Sequence, residues 1–317
     1  MSDSPALVPS LFDMQVNGFA GVDFQQPDLP PADLRHAVAA LRAHDTHRIL
    51  LTLITDDIDS LCHKFSSIEK ARHADATVAE TVCGYHLEGP WLSAEEGYCG
   101  AHPPEKMCAP KLADFERLQD AAGGNLRLVT LAPELPGSAE FIAGLTRRGV
   151  LISLGHTNAS DAEIGDAIRA GATLCTHLGN GVPMTLPRHD NVVQRLLARD
   201  DLTACLIPDG AHLPPFVLRN FFRAKPPGKT VLTTDAMAAA AAPPGRYMLG
   251  GIEVESRDGF VRQPDRENLA GSSLTPDRGV RNAAEWLGIS TAEARALFST
   301  RAASLFSIEL PMLPATP

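Results

Sequence analysis

Three residues of this chain have the types a catalytic metal ion wants, and each stands where a short apolar run ends. They are Glu88 in Gly84-Tyr85-His86-Leu87-Glu88-Gly89-Pro90-Trp91, His156 in Leu154-Gly155-His156-Thr157-Asn158, and His177 in Cys175-Thr176-His177-Leu178-Gly179-Asn180. One carboxylate and two imidazoles are a common catalytic-zinc set, and three protein ligands leave a position for water. Bound water then ionises near neutral pH, at a pKa of about 7. Asp235, in Thr233-Thr234-Asp235-Ala236, is placed to hold that water and shuttle its proton; its other reading is a helix N-cap. His102, in Gly100-Ala101-His102-Pro103-Pro104, and His212, in Pro208-Asp209-Gly210-Ala211-His212, lie in loops and are either substrate contacts or plain exposed histidines. Arg188, beside His189 in Pro187-Arg188-His189-Asp190-Asn191, is an anion contact or a solvated loop charge.

These residues need elements to position them, and the rest of the chain supplies a regular alternation. Strand-like runs fall at Leu11–Val16, Ile49–Ile54, Thr81–Leu87, Leu126–Leu131, Val150–Leu154, Thr173–His177, Thr203–Ile207 and Lys229–Thr234. Helical patterns lie between most of them, at Pro31–Ala43, Asp57–Arg72, Ala109–Ala122, Ser138–Arg148, Ser160–Ala170 and Pro214–Arg223. Eight short strands interleaved with helices, with no G-x-G-x-x-G after the first, predict an α/β fold that closes as a (β/α)8 barrel of TIM type. In that order the polar residues follow the carboxyl ends of strands one (Gln15, Asn17), three (His86, Glu88), five (His156), six (His177, Asn180), seven (Asp209, His212) and eight (Asp235). That is the face on which such barrels carry active sites. Residues 243–268 read as a loop-and-hairpin insertion, helices follow near Thr275–Leu287 and Thr291–Phe306, residues 1–10 are a short lead, and 309–317 an untethered tail. The expectation is one barrel domain over 1–317.

Bulk properties exclude several partners. The chain has 317 residues, 44% hydrophobic and 21% charged, and no apolar run reaches the roughly 20 residues of a membrane span. Thirty-eight acidic against 28 basic residues give a net charge of −10, which disfavours nucleic acid and anionic membranes. An anionic substrate would need a local cationic pocket. Six cysteines without a C-x-x-C pair, and an N-terminus with no basic and apolar leader, point to the cytoplasm.

From about Phe12 to Phe306 the chain resembles the N-acetylglucosamine-6-phosphate deacetylases of the amidohydrolase superfamily. The resemblance is carried by Phe12-Asp13-Met14-Gln15-Val16-Asn17-Gly18, by the segments around Glu88, His156 and His177, by Thr233-Thr234-Asp235-Ala236-Met237-Ala238, and by Leu269-Ala270-Gly271-Ser272-Ser273-Leu274-Thr275 with Arg278-Gly279-Val280-Arg281-Asn282. It implies that Glu88, His156 and His177 bind one divalent metal, zinc in the first instance, with iron, manganese or cobalt accepted by the same donors. It makes Asp235 the general acid/base and His102 a group that polarises the substrate carbonyl. Substrate contacts would come from Ala101, His102, Asn180, Gly181, Arg188, His212, Leu269, Ala270 and Gly271. Many superfamily members bind a second metal through His-x-His on strand one. Gln15 and Asn17 stand there instead and vacate that position, as in single-metal members of the family.

The activity so implied is release of acetate from an N-acetylated amino sugar 6-phosphate by a metal-activated hydroxide, in a homodimer where the arginine can come from the neighbouring subunit. Two departures accompany it. The accessory β-sandwich of the family is expected to be largely absent, and glycines flank Asn180 where the family commonly has an aromatic residue and an alanine, which should widen or reshape the pocket. Two alternatives are an amidohydrolase acting on a different N-acyl or cyclic amide, and a non-catalytic sugar-phosphate binding protein.

Overall fold

The computed structural model describes residues 6–264 and 268–315. Its centre is an eight-stranded sheet: β1 (Leu11–Val16), β2 (Thr46–Ile54), β3 (Val82–Glu88), β4 (Leu126–Leu131), β5 (Leu151–Leu154), β6 (Leu174–Cys175), β7 (Thr203–Leu206) and β8 (Thr230–Leu232). Each strand pairs in parallel with its sequence neighbours, in the order β8-β7-β6-β5-β4-β3-β2-β1. The two end strands meet through a parallel bridge between Val16 and Ala236, with the Asn17 N–H donating to the Ala236 carbonyl at 2.7 Å. The sheet is thus a nearly closed barrel, as the alternation of runs predicts.

Sequence dictates these elements locally. Both faces of a barrel strand are covered, so β4, Leu-Arg-Leu-Val-Thr-Leu, is buried at every position but Arg127. Around the sheet run α1 (Pro31–Ala43), α2 (Ile58–His73), α3 (Ala76–Thr81), α4 (Leu112–Ala121), α5 (Ser138–Thr146), α6 (Asp161–Ala170), α7 (Val192–Leu197) and α8 (Pro215–Ala224). Helix α6 shows its boundaries in its residues. Ser160 and Glu163 form a capping box at its start, and Gly171 closes it at φ 117°, a left-handed value that glycine adopts without strain.

The strands present one set of side chains to the helices and another to the barrel lumen. The outer layer is the main core, with Leu51, Leu53, Tyr85, Leu87, Ile152 and Leu154 packed under the helices. The lumen is filled at its lower end by Phe12, Met14, Leu50, Leu128, Leu174 and Val231. Helices α9 (Pro276–Leu287) and α10 (Thr291–Phe298) pack Val280, Ala283, Leu297 and Phe298 into the outer core, and α11 (Thr300–Leu305) plugs the lumen through Ala302, Ala303 and the following Phe306, whose ring meets Phe12 edge-on at 5.6 Å. Each large apolar side chain so buried contributes roughly 1.5–3 kcal/mol.

Three expectations change. The run Thr291–Phe306 is two helices, because Ser299 at φ −128° and ψ −100° breaks it. The tail is not untethered: Met312–Pro314 pairs antiparallel with Leu7–Pro9, the first of these strands lying in the expected lead. Short strands with exposed residues at Leu7 and Met312 carry no periodicity a sequence pattern can register. The insertion is a three-stranded antiparallel sheet, Gly245–Leu249, Ile252–Arg257 and Phe260–Arg262, while Asp265, Arg266 and Glu267 of the same stretch lie outside the described residues. This sheet packs its Leu249, Val254 and Val261 against Ile54, Met237 and Ala270 over the carboxyl end of the barrel.

Candidate active site

Glu88 is the last residue of β3, and His156 and His177 each follow a strand by two residues. Both histidines, and Asp235 after β8, have positive φ: 51°, 25° and 52°. Such backbone is strained for a side chain-bearing residue and clusters at functional sites. Here it turns the chain abruptly out of the sheet, so that β6 ends at Cys175 and β8 at Leu232, earlier than the sequence runs predict, and the side chains turn into the mouth of the barrel.

The donor atoms of Glu88, His156 and His177 all lie within 4.8 Å of one another, and all three residues are buried. His177 Nε2 is 2.9 Å and His156 Nε2 3.4 Å from Glu88 Oε1. The neighbours prepare this arrangement. The Tyr98 carbonyl accepts from His156 Nδ1 at 2.8 Å, which fixes the tautomer and leaves Nε2 to face Glu88. Gly100 and Gly181, at φ 58° and 63°, press against the same ring; a Cβ on either would lie 2.8 Å from it. Gln15 donates from Nε2 to Glu88 Oε2 at 2.9 Å and accepts from Thr176 Oγ1 at 3.0 Å, tying β1 to β3 and β6. His177 Nδ1 is buried without a hydrogen-bond partner among the described residues.

Burial raises the Glu88 carboxyl, yet hydrogen bonds from His156 and His177 and the positive charge of His177 hold it well below the usual range. Burial likewise lowers the His177 imidazole, but its bond to Glu88 and that carboxylate's charge carry it above its ordinary value. Two nitrogens and an oxygen, buried, clustered and supported from behind, fit a divalent ion such as zinc or iron.

Asp235 lies beside this cluster, and its Oδ1 accepts from Asn17 Nδ2 at 2.7 Å. Burial pushes its carboxyl up to about 7, the Glu88 charge adds to this, and His177, His212 and Asn17 pull the other way. His102 enters from the loop after β3. Its ring centroid is 4.5 Å from that of His156, and its Nε2 is 3.9 Å from Glu88 Oε2. The Thr55 N–H donates to His102 Nδ1 at 3.4 Å, which places the ring proton on Nε2. Burial, then His156, lower this imidazole to about 3, so it faces the centre as a neutral donor. His212 is held by Asp209, whose Oδ2 is 2.7 Å from its Nδ1.

These groups line a cavity of about 660 Å³, within the roughly 300–1,000 Å³ typical of small-molecule sites. Glu88, His102, His156, His177 and Asp235 lie on its wall, as do Asn17, Ala101, Asn180, Gly181, His212 and the turn Leu269, Ala270, Gly271. Arg188 does not: it is exposed and is not among the residues on that wall. Gln15 sits beneath the wall rather than on it. The glycines flanking Asn180 do not simply widen the pocket, because the space beside Gly179 is filled by Phe221 and that beside Gly181 by His156. The sequence reading did not include Thr55, Tyr98 or Thr176, which orient the site from distant positions, or Arg262 of the hairpin sheet, which lines the cavity.

Comparison with known proteins places this geometry. No family model matches the chain. It is 36% identical over 317 residues to the human N-acetylglucosamine-6-phosphate deacetylase, spanning 96% of this chain and 75% of that protein. The chain belongs to the N-acetylglucosamine-6-phosphate deacetylase family. Within the family it is also 32% identical over 308 residues to an N-acetylgalactosamine-6-phosphate deacetylase of Escherichia coli O157:H7, covering 97% of this chain and 80% of that one. The deacetylase of Mycobacterium smegmatis, solved as an aspartate-to-alanine mutant with N-acetyl-D-glucosamine-6-phosphate, superposes with a TM-score of 0.87 at 31% identity, over 98% of this chain and 80% of that one.

Proposed function

We propose that this protein hydrolyses the acetamide of an N-acetylated amino sugar 6-phosphate, N-acetylglucosamine 6-phosphate first among them, to the free amine and acetate. The observation that carries this reading is the convergence of Glu88, His156 and His177 with Asp235 at one barrel mouth in a chain of this family. Glu88, His156 and His177 would hold one divalent ion, zinc first, which when bound supplies Lewis-acid polarisation and an ionised water near neutral pH. Gln15 and Asn17 are engaged with Glu88 and Asp235, which supports one ion rather than two.

The remaining chemistry belongs to side chains. The Nε2–H of His102 donates to the acetamide carbonyl as negative charge develops on it. Asp235, poised near 7, takes a proton from the attacking water and returns it to the leaving nitrogen, so the C–N bond breaks to a neutral amine. Ala101, Asn180, Gly181 and the turn Leu269, Ala270 and Gly271 shape the sugar site. His212, backed by Asp209, is the anion contact within the chain, and Arg188 would serve from a second copy in a homodimer. A cytoplasmic setting suits the six unpaired cysteines. Among the described residues, no helix is long and apolar enough to cross a membrane.

The galactosamine isomer is a second substrate reading, favoured by the likeness to the E. coli O157:H7 enzyme. An acetate-release screen of metal-loaded protein over the N-acetylglucosamine, N-acetylgalactosamine and N-acetylmannosamine 6-phosphates and their unphosphorylated sugars tests both readings. Release from a phosphorylated sugar, with kcat/KM at least tenfold above its unphosphorylated counterpart, is expected, since a charged recognition contact is worth roughly 1.5–3 kcal/mol. Equal rates without phosphate would reassign the pocket.

A further inference from the structure

The strands that close the barrel, β1 and β8, share no regular ladder, and a buried carboxylate spans the gap between them. Asp13 is fully buried in β1. Its Oδ1 accepts from Thr233 Oγ1 at 2.6 Å, and its Oδ2 from the Thr234 N–H at 3.2 Å and from the Thr234 hydroxyl. Oδ1 also accepts from the Gln15 N–H at 3.2 Å. Four donors therefore converge on one side chain from two strands, and the residue that follows Thr234 is Asp235. Thr234 Oγ1 in turn accepts from the Ala236 N–H at 3.0 Å, so the same hydroxyl grips the chain on both sides of Asp235.

A bulge in β1 makes this geometry possible. Asp13 pairs with Ile49 and Val16 with Leu51, so three residues of β1 advance against two of β2. Beyond the bulge, Gln15 and Asn17 reach Glu88 and Asp235 respectively. Asp235 itself sits at φ 52°, a conformation that persists only where its surroundings impose it.

We propose that Asp13 is a positioning residue for the reaction: by clamping Thr233 and Thr234 across the barrel seam, its carboxylate holds Asp235 in its strained, reactive orientation. The inference rests on the role assigned to Asp235 above. A displacement of about 1 Å in a catalytic group can cost a hundredfold in rate, whereas substrate held by the cavity walls is bound as before. The signature is therefore a loss in kcat with KM preserved.

The test uses the metal-loaded full chain with Asp13→Asn, Thr234→Val and Thr234→Ser, each checked for metal content and thermal unfolding. The clamp predicts kcat lower by about ten- to a hundredfold in Asp13→Asn and Thr234→Val, KM within about twofold, and kcat restored in Thr234→Ser, which keeps the hydroxyl. Folded Asp13→Asn and Thr234→Val proteins with wild-type kcat would overturn it, and so would equal losses in the Val and Ser variants. If Asp13→Asn does not fold, the Thr234 pair decides. A wild-type protein that releases acetate, together with Thr234 variants that do not differ, removes only the clamp. A wild-type protein that releases none removes the proposed function instead.

Discussion

At the scale of single residues, the site works by setting two carboxylates apart. Glu88 and Asp235 are both buried, but bonds to the His156 and His177 imidazoles hold the Glu88 carboxyl well below its usual range, while the Asp235 carboxyl, which accepts from Asn17, is raised to about 7. That division supports the proposed roles, one carboxylate binding a cation and the other exchanging a proton. Asp235→Asn keeps the size of the side chain and removes that exchange. It is expected to lower kcat by about 10²–10⁴-fold while metal content, measured by elemental analysis, stays at the wild-type level; a variant with near wild-type turnover would contradict the assignment. The clustering of Glu88, His156 and His177 was legible in sequence because each stands where a short apolar run ends. The groups that orient it were not, since Thr55, Tyr98 and Thr176 are ordinary residues until folding brings them to His102, His156 and Gln15.

At the scale of elements, the barrel was legible because its period is simple. Strands Leu11–Val16 and Leu126–Leu131 and helix Pro31–Ala43 coincide with their sequence runs. Illegible were the short helices α3 and α7, six residues each, and the positive-φ exits that end β6 and β8 early. The docking of the hairpin sheet was also hidden. Asp23, buried near the mouth, accepts from the Gly250 N–H at 3.2 Å and so fixes the tip of that sheet to the barrel. Burial pushes its carboxyl up to about 6 from an ordinary 3.8, with the Gln25 and Gly250 N–H groups and Lys64 partly opposing. A carboxyl raised on folding binds its proton more tightly in the native state, so its contribution is full below about pH 4 and is lost as pH rises through 6. The loss amounts to about 3 kcal/mol at most. Urea unfolding of metal-stripped protein at pH 4.5 and 7.5 should show a smaller decline in Asp23→Asn than in wild type; identical declines would refute the linkage.

At the scale of the whole molecule, a chain of net charge −10 gathers two carboxylates at one cavity and proposes to attract an anion there. That demands local cations, and among described Lys and Arg residues on the cavity wall the structure offers Arg262. Arg188, singled out from sequence, is exposed and off the wall of this cavity, which is why its part in the site belongs to the homodimer reading. A sequence can mark which residues carry charge but not which side of the subunit a loop will face. The central claim, amide hydrolysis at one metal centre built from Glu88, His156 and His177, is tested most directly by titrating chelator-stripped protein with zinc while following acetate release from N-acetylglucosamine 6-phosphate. The account predicts no turnover without metal and a linear rise that plateaus at one ion per chain. A plateau at two ions, or acetate release from metal-free protein, would contradict it.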